Sequence, residues 1–121
     1  MREIKFRGQE SRTGIWVYGG FVERTTGAVQ IAVNRMTYTR FINVIPETVG
    51  QHTGLPDSNG VDIYEGDICF DEINEENCVI VYKDDGFYAE YAGHIIDLYE
   101  VNDRIEVQGN IHDNPELMEG E

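Results

Sequence analysis

Positive charge all but disappears from this 121-residue chain after residue 46. Residues 47–121 carry two Lys/Arg against twenty Asp/Glu, a net −18, while residues 1–46 carry seven against three, a net +4, which gives −14 overall. A balance so far from zero favours solubility and repels nucleic acid and anionic lipid at long range. It leaves room for a local contact through the mildly basic first part. Cysteine is scarce as well: Cys69 and Cys78 alone make no disulfide framework. They lie symmetrically about the Ile73/Asn74 junction, so a hairpin turning there sets them opposite each other. In a reducing cytosol two buried or half-buried free thiols are expected. Long apolar runs are missing too. Those at residues 28–33 and 41–45 fall far short of the ~20 residues a membrane-spanning helix needs. Charges at Arg2, Glu3, Lys5 and Arg7 stand where a secretory signal would hold its apolar stretch. No Asn-x-Ser/Thr sequon occurs. The expectation is a cytoplasmic protein with no membrane association.

Sustained helical periodicity is the next absence, and strand signals fill its place. Residues 15–18 (Ile-Trp-Val-Tyr) are β-branched and aromatic, and Gly19-Gly20 interrupts them before Phe21-Val22, which reads as a bend within one long strand. Short strands are expected at 5–7, 28–33, 37–44, 62–64, 67–71, 79–83, 87–91 and 105–111, with turns at Thr25-Thr26-Gly27 and Asp84-Asp85-Gly86. Asn59-Gly60 is the strongest turn signal, since both residues tolerate positive φ. Residues 95–101 suit one helical turn as well as a strand. Asn114-Pro115 marks a helix start, and Glu119-Gly120-Glu121 is expected to fray. The fold class is mainly β: antiparallel strands in one or two small barrel-like sheets, with a short helical turn near the C-terminus. Seven Tyr, five Phe and one Trp supply core material for one domain over residues 1–121. Its subdomains would be 1–46 and 60–117, joined by a glycine-punctuated connection at 47–59.

Catalytic machinery is also lacking. Aligning Gly60 with the sixth position of a calcium loop puts Leu55 first and Gly66 twelfth, where oxygen ligands are required, so the calcium reading fails. Glu65 and Asp67 would share a face of a regular strand. The simpler reading makes Gly66 a turn and both acids solvated. His52, His94 and His112 are far apart and lack metal-ligand spacing. Thr48, Thr53, Ser58 and the cysteines have no adjacent base, and no phosphate-binding glycine loop occurs. No catalytic, cofactor-binding or metal-binding residue is assigned, and an enzyme would require the three histidines and nearby carboxylates to converge in space. Arg35, Tyr38 and Arg40, with Arg2, Lys5, Arg7 and Arg12 upstream, could grip a single nucleic-acid strand. Seven basic residues across 46 is an ordinary density, so a solvated surface explains them as readily.

Five blocks of sequence have a further meaning. Ile4-Lys5-Phe6-Arg7-Gly8 and Trp16-Val17-Tyr18-Gly19 open the chain. Glu47-Thr48-Val49-Gly50-Gln51-His52-Thr53-Gly54-Leu55 and Gly60-Val61-Asp62-Ile63-Tyr64-Glu65-Gly66-Asp67-Ile68 follow, and Val107-Gln108-Gly109-Asn110-Ile111-His112-Asp113-Asn114-Pro115-Glu116-Leu117 closes the set. In this order they resemble the YopX-like family of phage and prophage proteins. The departures are Gln108, where an apolar residue is usual, and His112, where an aromatic one is. A polar Gln108 is expected to face solvent. The resemblance implies a mainly β fold and a phage or prophage setting, and it carries over no catalytic residues. Trp16, Tyr18, Leu55, Ile63, Tyr64, Ile68, Ile111 and Leu117 are expected core anchors. The functional expectation is a non-enzymatic module binding a host or phage protein, its acidic part engaging a basic partner. In a sharper form, Asp62, Glu65, Asp67, Asp71, Glu72, Glu75 and Glu76 mimic nucleic-acid phosphates. The alternative is nucleic-acid binding by the basic N-terminal strands. Pairing with a second copy through an edge strand stays open.

Overall fold

The computed structural model describes residues 5–118; Arg2 of the basic set and the tail expected to fray lie outside them. The chain packs as two compact units, Met1–His52 and Thr53–Glu121. The first contains β1 (Phe6–Gln9), β2 (Trp16–Glu23), β3 (Val29–Asn34) and β4 (Thr39–Asn43), then a 3-10 turn at Pro46–Thr48 and the start of β5 (Gly50–Pro56). All pairs are antiparallel and the order is β4-β3-β2-β1-β5. β2 serves two partners in turn. Its first half pairs with β1, from Gln9↔Trp16 to Phe6↔Gly19, and its second with β3, from Gly20↔Ala32 to Glu23↔Val29. At the handover the backbones crowd: a Cβ on Gly19 would lie 2.1 Å from the Ala32 carbonyl oxygen, so no side chain fits there. The Gly19-Gly20 bend expected from the sequence is this point.

The unit is tied at its far side by one bridge, Glu10↔Val44. Beside it Ser11 N donates to the Asn43 carbonyl (3.0 Å) and Ile45 N to that of Gln9 (2.9 Å). Thr48 locks the following 3-10 turn, its Oγ1 accepting from Gln9 N (2.9 Å) and donating to the Ile45 carbonyl (2.6 Å). The buried hydrophobics here are Ile31 and Val44. Phe6 meets Phe21 at 5.4 Å between ring centroids.

In the second unit, β6 (Asp62–Tyr64) lies beside the last residues of β5. A five-stranded antiparallel sheet follows, β7 (Asp67–Asp71), β8 (Glu76–Lys83), β9 (Gly86–Glu90), β10 (Ile95–Asp97) and β11 (Ile105–Asn110), in the order β10-β9-β8-β7-β11. The chain reaches β10 by successive hairpins and returns to the opposite edge through α1 (Leu98–Val101) and a 3-10 turn at Asn102–Arg104. Asp97 caps α1, its Oδ1 accepting from Tyr99 N at 3.0 Å. Leu98 and Val101 join Ile63, Cys69, Cys78, Ile80, Ala89 and Ile105 in one fully buried core.

The antiparallel, mainly β expectation holds, and residues 95–101 prove to be both a strand and a helical turn. The barrel does not form. Closure requires the outer strands of the order to pair. Here β10 and β11 are joined instead through α1, whose apolar side chains plug the core, and the first unit is tied by a bridge in place of a ladder. The connection read at 47–59 is also corrected: it contains β5, whose Gly50, Gly54 and Pro56 disguise a strand as a loop. Tyr18 and Ile111 are exposed, not core anchors. Gln108 faces solvent as expected, at the bulge where the β11 register shifts between Val107 and Gly109.

Gly19→Ala should destabilise the first unit by about 2 kcal/mol or more through overpacking. Gly20→Ala, whose Cβ meets nothing within 4 Å, should stay within about 0.5 kcal/mol of wild type. Urea unfolding of the two variants, with amide exchange to locate the effect, checks this pair.

Candidate interaction surface

The acidic second unit was expected to present its carboxylates to solvent, and three of them are inside. Asp57 opens the turn at Asn59-Gly60; its Oδ1 accepts from Asn59 N and Val61 N, both at 2.8 Å, and its Oδ2 from Val107 N of β11 at 2.9 Å. Asp67 is buried and accepts from Tyr64 N at 2.7 Å across the Gly66 turn, where φ is +94°. The solvated-pair reading of Glu65 and Asp67 is thereby corrected: Glu65 is half-buried, and Asp67, the first residue of β7, is buried and closes the turn with its carboxylate. Asp71 is fully buried. Its Oδ1 accepts from Ile73 N (2.9 Å) and Asn74 N (3.0 Å), its Oδ2 from the Tyr91 hydroxyl (2.5 Å) and Arg104 Nε (3.2 Å).

These partners set the acidities. Burial pushes the Asp71 carboxyl up, but the hydrogen bonds from Tyr91, Asn74 and Ile73, with the Arg104 charge, outweigh it and hold the group below its ordinary value. Burial and the bond to Asp71 drive the Tyr91 hydroxyl well above the usual tyrosine range. Burial pushes the Cys78 thiol up to about 11. A thiol so held is a poor nucleophile at neutral pH.

The three histidines do not make a centre. His52 lies in β5 of the first unit; in the second, His94 precedes β10 and stacks on Tyr91 at 4.7 Å, and His112 follows β11 with its N–H donating to Asn110 Oδ1. Among the described residues no three His, Cys, Asp or Glu side chains converge to hold a metal ion. An open cleft of about 460 Å³ in the second unit is lined by Lys83, Glu90, Tyr91, His94, Ile95 and Met118. The Tyr91 hydroxyl is committed to Asp71, leaving His94 stacked on a ring with no activated nucleophile beside it.

The first unit exposes large side chains on both faces of its sheet. Tyr18, Phe21, Tyr38 and Phe41 are 47, 42, 60 and 48% exposed, and Met36 stands fully exposed at the tip of the β3–β4 hairpin. Phe21 is paired with Ile31 and through it with Ile42, whereas Phe41 is paired with Ala32, so these two rings stand on opposite faces. That tip, residues 35–38, is closed by Arg35 N donating to the Tyr38 carbonyl at 2.7 Å. On β4, Phe41 carries the Arg24 guanidinium 4.7 Å over its ring. Arg24 Nε donates to Gln30 Oε1 (2.8 Å), whose amide donates on to Asn43 Oδ1 (2.9 Å). Two small clefts adjoin at Ile42. One, about 220 Å³, is flanked by Arg12, Arg40 and Phe41; the other, about 330 Å³, by Trp16, Val17, Tyr18, Val33 and Arg35. Arg12, Arg35 and Arg40 make no ion pair among the described residues.

The basic set read from the sequence is thus divided. Arg12, Arg35, Tyr38 and Arg40 reach this surface, whereas Arg7 is buried with its guanidinium 4.6 Å over the Trp16 ring. Sequence reasoning passed over Arg24, Phe21 and Met36.

Asp71 generates a prediction about pH. A carboxyl held low in the folded chain stabilises it fully above the unfolded value of about 3.9 and loses that contribution as pH falls through the folded value. Asp71→Asn should cost about 2–3 kcal/mol at neutral pH by replacing the carboxylate with a neutral amide that offers Arg104, Tyr91 and the turn amides a single oxygen, and should flatten the acid limb of stability. A thiol held high acts oppositely. The Cys78 contribution is full below about 8.5 and is lost as pH rises toward about 11. Urea melts from pH 2 to 11 on wild type, Asp71→Asn and Cys78→Ala read both limbs.

The fold is shared with the crystal structure of protein EF1440 from Enterococcus faecalis, at 22% identity and a TM-score of 0.67, covering 98% of this chain and 100% of that one. No curated protein matches the chain. The family model described as "YopX protein" matches residues 5–119, and with nearly the whole chain covered, this protein belongs to the YopX family.

Proposed function

We propose that the chain is a non-enzymatic interaction module of phage or prophage origin. It docks a host or phage protein in the bacterial cytoplasm through the exposed rings and arginines around the β3–β4 hairpin of its first unit. The observation that carries this reading is the exposure of that unit's large side chains: four large aromatic rings and a methionine stand outside, while among its described residues the buried hydrophobics are Ile31 and Val44. Exposed rings rimmed by polar groups suit docking surfaces, and arginine and tyrosine supply a large share of binding energy at protein interfaces. Three guanidiniums that make no ion pair among the described residues favour a segment bearing carboxylates. No helix among the described residues is long and apolar enough to cross a membrane.

The acidic second unit supports the phosphate-mimicry variant less well. Asp67 and Asp71, two of the seven carboxylates it would use, are buried and bonded internally. A second reading, single-stranded nucleic acid on the same surface, is favoured by those guanidiniums beside exposed Tyr18 and Tyr38.

Affinity capture from bacterial lysate, with and without nuclease, tests the module using wild type and the triple variant Tyr18→Ser, Tyr38→Ser, Phe41→Ser. A stoichiometric protein that survives nuclease and is lost, at least tenfold, with the variant is the expected result. Retention by the variant would move the surface elsewhere. Capture that vanishes with nuclease, together with salt-dependent retention of a thymidine oligonucleotide, would replace the protein partner by nucleic acid. Capture of nothing but the chain itself would make the surface a self-association face.

A further inference from the structure

β7 and β8 form a hairpin in which Cys69 stands directly opposite Cys78. Both are fully buried in the core of the second unit and carry no disulfide. Directly opposed residues on antiparallel strands share a face, with Cα atoms ~4.5–5.5 Å apart. Bridged cysteines have Cα separations of ~4.4–6.8 Å, so either kind of opposed pair lies within reach of a disulfide. The register is fixed from both ends. At the turn, Asp71 Oδ1 holds Ile73 N and Asn74 N, and Glu75, in the left-handed region at φ 56°, donates its N–H to the Asp71 carbonyl at 2.8 Å. On the other side of β7, Cys69 is paired with Val107 of β11. Neither strand can slip to draw the sulfurs apart.

We propose that Cys69 and Cys78 are a redox modification site, closed into a cross-strand disulfide by a small-molecule disulfide oxidant of the glutathione type. One protein thiolate attacks oxidised glutathione, forming a mixed disulfide and releasing one glutathione thiolate. The second protein thiolate then attacks the protein sulfur of that mixed disulfide and releases the second. Two electrons pass from the cysteines to the oxidant, and the two thiol protons end on the two glutathiones. Because the pair is buried, the first attack needs a local opening of the hairpin, so closure is slow and the strands keep their native pairing afterwards. A reducing cytosol holds the pair open. Closure records exposure of the protein to oxidised surroundings and staples β7 to β8.

The chain has two cysteines, so the wild-type protein itself is a sufficient probe. Reduced, folded protein is incubated with oxidised glutathione, quenched in acid, and read by intact mass, size-exclusion chromatography and amide exchange. The expected product is a monomer lighter by two hydrogen atoms, restored by dithiothreitol, with slower exchange at the amides of β7 and β8. Cys78→Ala should halt at the mixed disulfide, one glutathione heavier. Persistent glutathione adducts on wild type, a covalent dimer, or an unchanged mass after exchange shows the hairpin to have opened would each overturn the proposal. If the variant fails to fold, the wild-type masses still decide.

Discussion

A buried carboxylate costs several kcal/mol unless its oxygens are matched by donors, and Asp71 is matched from three directions. The turn amides of Ile73 and Asn74 come from its own hairpin, the Tyr91 hydroxyl from the chain just after β9, and the Arg104 guanidinium from the 3-10 turn that delivers β11. One side chain thereby registers the hairpin, the sheet and the returning strand against each other. The core behind it is ordinary aliphatic packing. It does not discriminate between registers as sharply as a charge that must find all its donors at once. Asp57 and Asp67 repeat the device on a smaller scale, Asp57 with both oxygens on backbone N–H groups and Asp67 with its Oδ2 on Tyr64 N. Part of the chain's acidity is thus structural, and net charge overstates what a partner would meet.

The two units place their apolar residues differently. The second buries Ile63, Ile80, Leu98, Val101 and Ile105 completely. The first is a bent sheet whose aromatic residues lie largely on the outside, with Arg24 laid over Phe41. A sheet with so little beneath it depends on its hydrogen-bond ladder, on the β2 handover at Gly19 and on the Thr48 lock. Its exposed rings contribute little to that stability, which leaves them available for another purpose.

How much of this was legible follows from the range of each interaction. The Gly19-Gly20 bend, the Asn59-Gly60 turn and the opposed cysteines rest on neighbours in sequence or on hairpin symmetry, and the residues announce them. The family blocks were legible too, and they marked Ile63, Tyr64 and Ile68 as core. β5 was hidden because its pairing with β1 is long-range while its own residues, two glycines and a proline, argue locally for a loop. Burial of Asp71 was hidden for the same reason: the donors that make it tolerable include Arg104, thirty-three residues away. The candidate surface was half legible. Arg35, Tyr38 and Arg40 stood out as a cluster, but Arg24 reaches Phe41 only because β2 and β4 flank β3.

The edge-to-edge return through α1 has a bearing on how the chain is made. β7 is synthesised with β8, β9 and β10 close behind, and each can pair as it emerges. Its other edge waits for β11, and the core waits for Leu98 and Val101. A nascent chain that has reached only β10 therefore holds a sheet with an open edge and an uncovered apolar face, the kind of species that chaperones bind and that aggregates. The last strand of that sheet to leave the ribosome completes its first, and until it arrives the second unit has no finished interior.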